Sequence, residues 1–134
     1  MKSLNDMLVL NAIICNTDRH FGNFGFLVDN TTNRIVAPAP LFDHGNSLFN
    51  LAGSDSLDSA DALDDYVNTL LPCVYDDYIG IAKAVLTAEH REGLHRLLTF
   101  RFKRHSRYNL PAKRLKLIEE QIHKRAKLLL ENTL

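Results

Sequence analysis

The first segment of the chain predicts a helix that has to be buried on almost every side. Residues 3–15, read as a helix, place apolar side chains around nearly the whole helical axis, with Asn5, Asp6 and Asn11 as the interruptions. A helix that is apolar on most faces lies inside a protein rather than on its surface. Ser3 and Asp6 fit a capped start, with a carboxylate in the positive first turn. The rest of the chain must therefore supply neighbours on several sides of this helix.

A β-hairpin is predicted directly after the first helix and a short polar stretch. Two extended runs, at 24–28 and 34–37, flank residues 29–33, which read Asp-Asn-Thr-Thr-Asn and are typical of a turn. Pro38 ends the second run because proline has no N–H to donate within a sheet. A Gly-, Ser- and Asn-rich loop is predicted at 44–57.

The remainder of the sequence predicts four helices. Residues 63–71 follow the spacing of an amphipathic helix, and a second helix is expected at about 76–86. A third follows Thr87, with an apolar face that extends to Phe102, and the last begins at Pro111, a favourable first position. The apolar stripe of the last helix comprises Leu115, Ile118, Ile122 and Leu129.

The chain length fits one core. A chain of 134 residues is one ordinary domain, and 46% hydrophobic with 24% charged residues is a globular composition. We therefore predict a single α+β domain over residues 1–134. It is mainly α, with a small hairpin followed by a helical bundle.

Two cysteines lie far apart in the sequence and argue against zinc. Cys15 and Cys73 form no Cys-x-x-Cys pair and have no histidine at metal-ligand spacing. A disulfide framework is not expected either, which favours a reducing, cytoplasmic setting. The sequence shows no transmembrane span and no secretory signal, so no membrane association is expected.

The charge balance hides an asymmetry. The net charge is zero, yet residues 1–79 hold three basic and eleven acidic side chains, whereas residues 80–134 hold thirteen and five. The basic cluster at 101–107 is extended by Lys113, Arg114 and Lys116. We interpret it as the solvated face of a helix, so that direct binding to nucleic acid is not expected, with a nucleic-acid patch or an acidic partner surface as alternatives.

Chemistry-bearing residues concentrate before and after the predicted hairpin. Asp18 and Asn23 lie five positions apart in the loop that leaves the first helix, and Asp43 follows the hairpin. Phosphoryl transfer from ATP needs such a set. One carboxylate orients the acceptor hydroxyl, while an amide oxygen and a second carboxylate hold magnesium against the phosphates. Turn and cap roles for the same three residues are the structural alternative.

The order of these residues resembles a protein-kinase catalytic loop. Residues 16–23 read Asn-Thr-Asp-Arg-His-Phe-Gly-Asn, and residues 39–48 read Ala-Pro-Leu-Phe-Asp-His-Gly-Asn-Ser-Leu. Protein kinases carry Asp-x-x-x-x-Asn, then a hairpin, then Asp-Phe-Gly. Here Asp-Arg-His inverts the usual His-Arg-Asp, as in HipA-like kinases and phosphatidylinositol kinases. Over residues 11–48 the sequence is similar to the carboxy-terminal lobe of a HipA-like serine/threonine kinase.

This resemblance implies a role for each matching residue. Asp18 matches the catalytic aspartate, and Asn23 and Asp43 match the two magnesium ligands. Arg19 and His20 match supporting positions of the loop, where packing or pairing with a carboxylate is expected. Gly45 is expected to serve the backbone.

The implied function is ATP- and Mg²⁺-dependent phosphorylation of serine or threonine on a protein. HipA-like kinases commonly act as toxins of toxin–antitoxin pairs, so a helix-turn-helix antitoxin is an expected partner.

The resemblance also implies a second lobe. A HipA-like kinase grips ATP with a Gly-rich loop and a strand lysine in an amino-terminal lobe. No Gly-rich loop precedes Asp18, and Lys2 is the only lysine there. We therefore expect a carboxy-terminal lobe that is inactive alone. Its apolar interlobe surface is expected at Met7, Leu10 and Ile14, covered by self-association or by a partner subunit.

Two other functions stay open from the sequence. One is a kinase remnant that acts as a non-catalytic binding or regulatory module. The other is a nucleic-acid-associated helical protein, supported by the basic second half of the chain. Mg²⁺-dependent nucleotide binding would favour the first, and a steep salt dependence of nucleic-acid affinity would favour the second.

Overall fold

Five helices and one two-stranded antiparallel sheet make up the part of the chain that is described, residues 2–131 of a computed structural model. This arrangement confirms the predicted α+β, mainly α, fold class. The elements in chain order are α1 (Lys2–Ile14), β1 (Phe26–Val28), β2 (Ile35–Pro38), α2 (Ala60–Val67), α3 (Tyr78–Ala84), α4 (Ala88–Leu97) and α5 (Ala112–Leu130).

Helix α1 lies against two other helices, α3 and α5, as its apolar sequence requires. Val9, Ala12 and Ile13 are buried in the hydrophobic core, and Met7 is buried as well. The expected capping by Ser3 is wrong, because the helix already includes Lys2 and Ser3 lies inside it. A helix buried on two sides needs those neighbours before it is stable.

Helix α5 supplies the longest wall of the core. It starts directly after Pro111, close to the predicted position, and Ile118, Ile122 and Leu129 of the predicted stripe are buried. Leu115 is half-buried. Arg125 of α5 is buried as well and donates from Nε to the carbonyl oxygen of Ala12. That carbonyl belongs to the last turn of α1, where backbone acceptors have no partner within the helix.

Helix α4 begins as the sequence predicts and ends earlier. The Thr87 hydroxyl accepts the N–H of His90, and the His90 side chain accepts the N–H of Thr87, a reciprocal cap. Nε2 of His90 lies 2.7 Å from Oδ1 of Asp6, which ties α4 to α1. The expectation that this helix extends to Phe102 is wrong, because it ends at Leu97.

Residues 101–108, called here the basic segment, are irregular rather than helical. Phe102 turns inward at the start of the segment and packs edge-on against Phe100, with ring centroids 5.0 Å apart. The predicted helix is therefore wrong for residues 101–107, although their basic side chains are exposed to solvent as expected. Lys113 and Lys116 of the same cluster are exposed on α5.

The hairpin stands away from the core with apolar side chains exposed. Phe26 pairs with Pro38, and a bulge lies between Leu27 and Val28. Phe26, Ile35 and Val36 are 60%, 66% and 63% exposed. The predicted exposed face of the first helix is wrong, because Met7 is only 3% exposed and Leu10 and Ile14 are half-buried. The exposed apolar surface of this part of the molecule belongs to the hairpin instead.

Candidate phosphoryl-transfer site

Asn16 joins the loop that follows α1 to the segment around Asp43. Its Oδ1 accepts the N–H of Asp18 at 3.0 Å, and its Nδ2 donates to the carbonyl oxygen of Asp43 at 3.3 Å. The hydroxyl of Tyr78 on α3 donates to the Asn16 carbonyl at 2.8 Å. A single buried amide therefore holds the backbones of Asp18 and Asp43 on neighbouring segments.

Arg19 is fully buried and bridges the same two segments. Its Nη1 donates to the carbonyl oxygens of Asn23 and Phe42 at 3.1 and 2.6 Å, and its Nε donates to Oδ1 of Asn11 at 3.3 Å. Nη2 lies 2.7 Å from Nδ1 of His44. Because a guanidinium only donates, Nδ1 is the acceptor and His44 carries its proton on Nε2.

The partners of Arg19 differ from the expectation. We predicted that it pairs with a loop carboxylate, whereas its hydrogen bonds go to two carbonyl groups, an amide and an imidazole. Burial lowers the pKa of the Arg19 guanidinium, and the nearby charge of Asp43 opposes this shift. Arginine titrates so far above neutrality that the side chain stays charged. The loop therefore contains a fixed positive charge close to Asp43.

Asn23 has one satisfied and one free side-chain atom. Its Nδ2 donates to the carbonyl oxygen of Asp18 at 2.5 Å, which fixes the plane of the amide. Its Oδ1 is buried and has no hydrogen-bond partner among the described residues. A buried oxygen without a partner is costly unless a ligand satisfies it. An amide oxygen is also a ligand type that Mg²⁺ accepts, so this residue fits the metal role implied for it.

Asp43 adopts a backbone conformation that is unusual outside glycine. Its φ is 56°, in the left-handed region, which aspartate tolerates better than most residues. Such conformations cluster at functional sites when the surrounding structure enforces them. The residue is exposed, so its carboxylate can meet a ligand from solution.

Gly45 lies beside the Asp43 carboxylate at a position that could also hold a side chain. A Cβ at this position would lie 3.8 Å from Oδ1 of Asp43, which is an ordinary contact. Among the described glycines none has a left-handed φ, so the predicted backbone role of Gly45 is not a conformational necessity.

His20 shapes the loop through its backbone neighbours. Its Nδ1 accepts the N–H of Gly22 at 2.9 Å, and its Nε2 lies 3.9 Å from Oδ2 of Asp18. A Cβ on Gly22 would approach Cε1 of His20 to 2.9 Å, so glycine is required for this close contact. Both His20 and Asp18 are nearly half exposed, which leaves the Asp18 carboxylate accessible.

Sequence reasoning missed four residues that hold this site. Asn11, Asn16, His44 and Tyr78 each bond to the loop or to Arg19. One signal was present in the sequence. Asn11 interrupts an otherwise apolar helix, and a polar residue at such a position needs a buried partner.

An apolar cleft of about 200 Å³ opens between α1 and the hairpin, next to Asn23. Phe24 and Gly25, which follow Asn23 directly, form part of its lining. The other residues that line it are Ser3, Leu4, Met7, Phe26, Pro38, Ala39 and Leu41. Because most of its lining is apolar, the cleft can accept an apolar group next to the polar loop.

The side chains that commonly ligate metals, carboxylates included, do not cluster within residues 2–131. In that part of the chain no three His, Cys, Asp or Glu side chains are grouped so that they could hold a metal. Burial raises the pKa of the Cys15 thiol to about 11, so it stays protonated at neutral pH. The candidate donors at this site are the oxygens of Asn23 and Asp43.

Comparisons with known proteins add no relative. No protein-family model, no curated protein and no solved structure matches the chain. None of the helices within residues 2–131 has the length and apolar character needed to cross a membrane.

Proposed function

We propose that this chain is the catalytic, carboxy-terminal lobe of a HipA-like serine/threonine kinase. The observation that carries the proposal is Asn23, whose amide nitrogen is fixed on Asp18 while its oxygen is buried without a partner. That arrangement leaves an unpaired oxygen ligand in the same loop as Asp18, whose side chain is nearly half exposed. By the same resemblance the partners are a protein substrate and a helix-turn-helix antitoxin, in the cytoplasm.

Each side chain has a separate task in the proposed reaction. Asp18 orients the substrate hydroxyl and accepts its proton. Asn23 and Asp43 would hold Mg²⁺, which when bound neutralises charge on the phosphates of ATP. Arg19 and Asn16 act only through the others, because their bonds keep the two loop segments together. The apolar cleft beside Phe24 would receive the flat base of the nucleotide.

Nucleotide binding tests the proposal directly. We expect residues 1–134 to bind ADP weakly, and only when Mg²⁺ is present, because one of the two lobes that hold ATP is included. Replacing Asp43 by Asn should weaken the Mg²⁺-dependent binding at least about 10-fold, since the loss of a ligand exceeds the usual cost of losing a supporting group. Isothermal calorimetry with and without Mg²⁺ measures both effects.

A matched variant controls for the loss of one negative charge. Asp65 is exposed on α2, so Asp65→Asn should leave ADP binding unchanged. Equal binding by Asp43→Asn and the unchanged protein, or binding that ignores Mg²⁺, would remove Asp43 from the metal site. Mg²⁺-dependent binding without any phosphoryl transfer in the native complex would instead favour the non-catalytic regulatory module.

The exposed hairpin fits the interlobe surface of such a kinase. We propose that it packs against the ATP-gripping lobe, whether that lobe belongs to a longer polypeptide or to a second protein. Residues 1–134 studied alone should therefore self-associate with rising concentration, because Phe26, Ile35 and Val36 leave apolar area and free strand edges in water. Size-exclusion chromatography with light scattering measures the mass against the 15.2 kDa expected for one chain.

Lysine substitutions separate the hairpin from other exposed apolar residues. The double variant Ile35→Lys and Val36→Lys should shift the protein toward the monomer, because charged edges oppose strand pairing. Leu71 is 67% exposed in a different part of the chain, so Leu71→Lys should leave the association unchanged. A wild-type protein that stays monomeric at every concentration would show that the exposed hairpin does not require a packing partner.

A further inference from the structure

The basic segment carries cations that no acidic residue neutralises. Arg101, Lys103, Arg104 and Arg107 are exposed, and none of them takes part in an ion pair among the described residues. Elsewhere several lysines do have such partners, for example Lys124 with Asp64 at 2.6 Å. Four like charges on one irregular stretch repel one another unless a polyanion binds there.

The end of the segment is held in a fixed shape by its own side chains. Nδ1 of His105 accepts the N–H groups of Arg107 and Tyr108 at 3.0 and 3.1 Å. The side chain of Asn109 bonds both the N–H and the carbonyl of His105, at 2.8 and 2.7 Å. Residues 105–109 are all exposed, so these bonds order a loop on the surface of the protein.

This local order presents an aromatic ring to solvent. Tyr108 is 78% exposed, and its ring stacks on the His105 ring with centroids 5.6 Å apart and planes 24° apart. Tyrosine is enriched among the residues that contribute most to binding at interfaces. The other face of the Tyr108 ring remains open to a second flat group.

A cleft of about 550 Å³ continues from the segment onto α5. Arg101, Arg104 and Lys116 line it, together with the carboxylates of Glu119 and Glu120. Glu119 is engaged, since its Oε1 accepts the N–H of Phe102 at 2.8 Å. Three basic against two acidic side chains leave the cleft with a small excess of positive charge.

We propose that the basic segment binds single-stranded nucleic acid. The cations contact successive phosphates, and a base stacks on Tyr108, the combination of charged groove and aromatic platform that single strands require. An acidic peptide would use the charges but not the open ring, so the ring favours the nucleic acid. This inference does not rest on the proposed kinase function.

Fluorescence anisotropy with a labelled oligouridine of ~12 nucleotides tests the proposal. We expect binding that weakens with salt, with a slope of log affinity against log salt of about −0.7 for each phosphate contacted. Tyr108→Ala should weaken binding about 5- to 100-fold, whereas Tyr108→Phe should keep it, because stacking needs the ring and not the hydroxyl. The double variant Arg104→Glu and Arg107→Glu should lose affinity and flatten the salt slope.

Controls distinguish this surface from general charge attraction. Arg91 is exposed near the start of α4, outside the basic segment. Arg91→Glu changes the net charge by the same amount as one Arg→Glu replacement in the segment, and it should leave the affinity for the oligouridine unchanged. A duplex of the same length should bind more weakly, because paired bases cannot stack on Tyr108. Binding of polyglutamate as tight as that of the oligouridine would assign the segment to acidic protein partners and overturn the proposal. Unchanged affinity in Tyr108→Ala, or no binding at all, would overturn it as well.

Discussion

Replacing Asp43 by Asn should slow phosphoryl transfer about 10²- to 10³-fold while the protein stays folded. The residue is exposed, and its backbone carbonyl, not its carboxylate, bonds to Asn16, so the amide variant keeps the structural contact. The lost charge is the one proposed to hold Mg²⁺ against the phosphates. Removal of one such preorganised electrostatic group typically costs about 10²–10³ in kcat. Asp18→Asn should cost about 10²–10⁴, since it removes the group that accepts the proton.

The assay belongs in the native polypeptide or complex that combines this chain with its ATP-gripping lobe. Transfer of labelled phosphate to a protein substrate is followed, and thermal melts verify that each variant is folded. Residues 1–134 alone should show no measurable transfer, because the transition state needs all of its charges held together. Full activity of Asp43→Asn would exclude the proposed metal ligand. Transfer by residues 1–134 alone would show that the second lobe is dispensable.

Replacing Arg19 by Leu should strongly destabilise the protein. The guanidinium is fully buried and satisfies the carbonyl groups of Asn23 and Phe42, Oδ1 of Asn11 and Nδ1 of His44. Each buried acceptor left without a partner costs about 1–3 kcal/mol. Some of these acceptors can bond to water instead, so the loss is smaller than the sum over all four. We expect the free energy of unfolding to fall by about 3–5 kcal/mol, which is a large part of the roughly 5–15 kcal/mol typical of a folded domain. Urea denaturation followed by circular dichroism measures the change.

Two further variants show whether the shape of the guanidinium matters. Arg19→Lys keeps the charge but not the planar fork, so it should recover only part of the lost stability. Arg91→Leu, at an exposed position of α4, should stay within about 0.5 kcal/mol of the unchanged protein. A small effect of Arg19→Leu would mean that water replaces the guanidinium, and that Arg19 does not hold the two loop segments together.

Local signals in the sequence predicted the elements well. Thr87 stands directly before α4 because side-chain capping acts within one turn. Pro111, predicted as the first residue of the last helix, stands one position before α5. The Asp-Asn-Thr-Thr-Asn turn fixed the hairpin for a similar reason, since Oδ1 of Asp29 accepts the N–H groups of Thr31 and Thr32.

Long-range contacts could not be predicted in the same way. Helix α4 ends at Leu97, and Phe102 beyond its end donates its N–H to Glu119 of α5, a contact that local sequence does not predict. The exposure of the hairpin and the burial of Met7 depend on which neighbours α1 finds, and helical periodicity does not name them. The roles of Asp18, Asn23 and Asp43 came from motif spacing. The contacts of Arg19, which span up to 25 positions, came only from the structure.

The bond from Arg125 to the carbonyl of Ala12 has a consequence for the order in which the protein is made. It joins residues 113 positions apart, and it closes the end of α1 from which the Asp18 loop departs. During synthesis α1 emerges from the ribosome before α5. Until α5 has been synthesised, the last turn of α1 lacks this donor. The helix end that leads into the Asp18 loop is therefore completed only when α5 is in place.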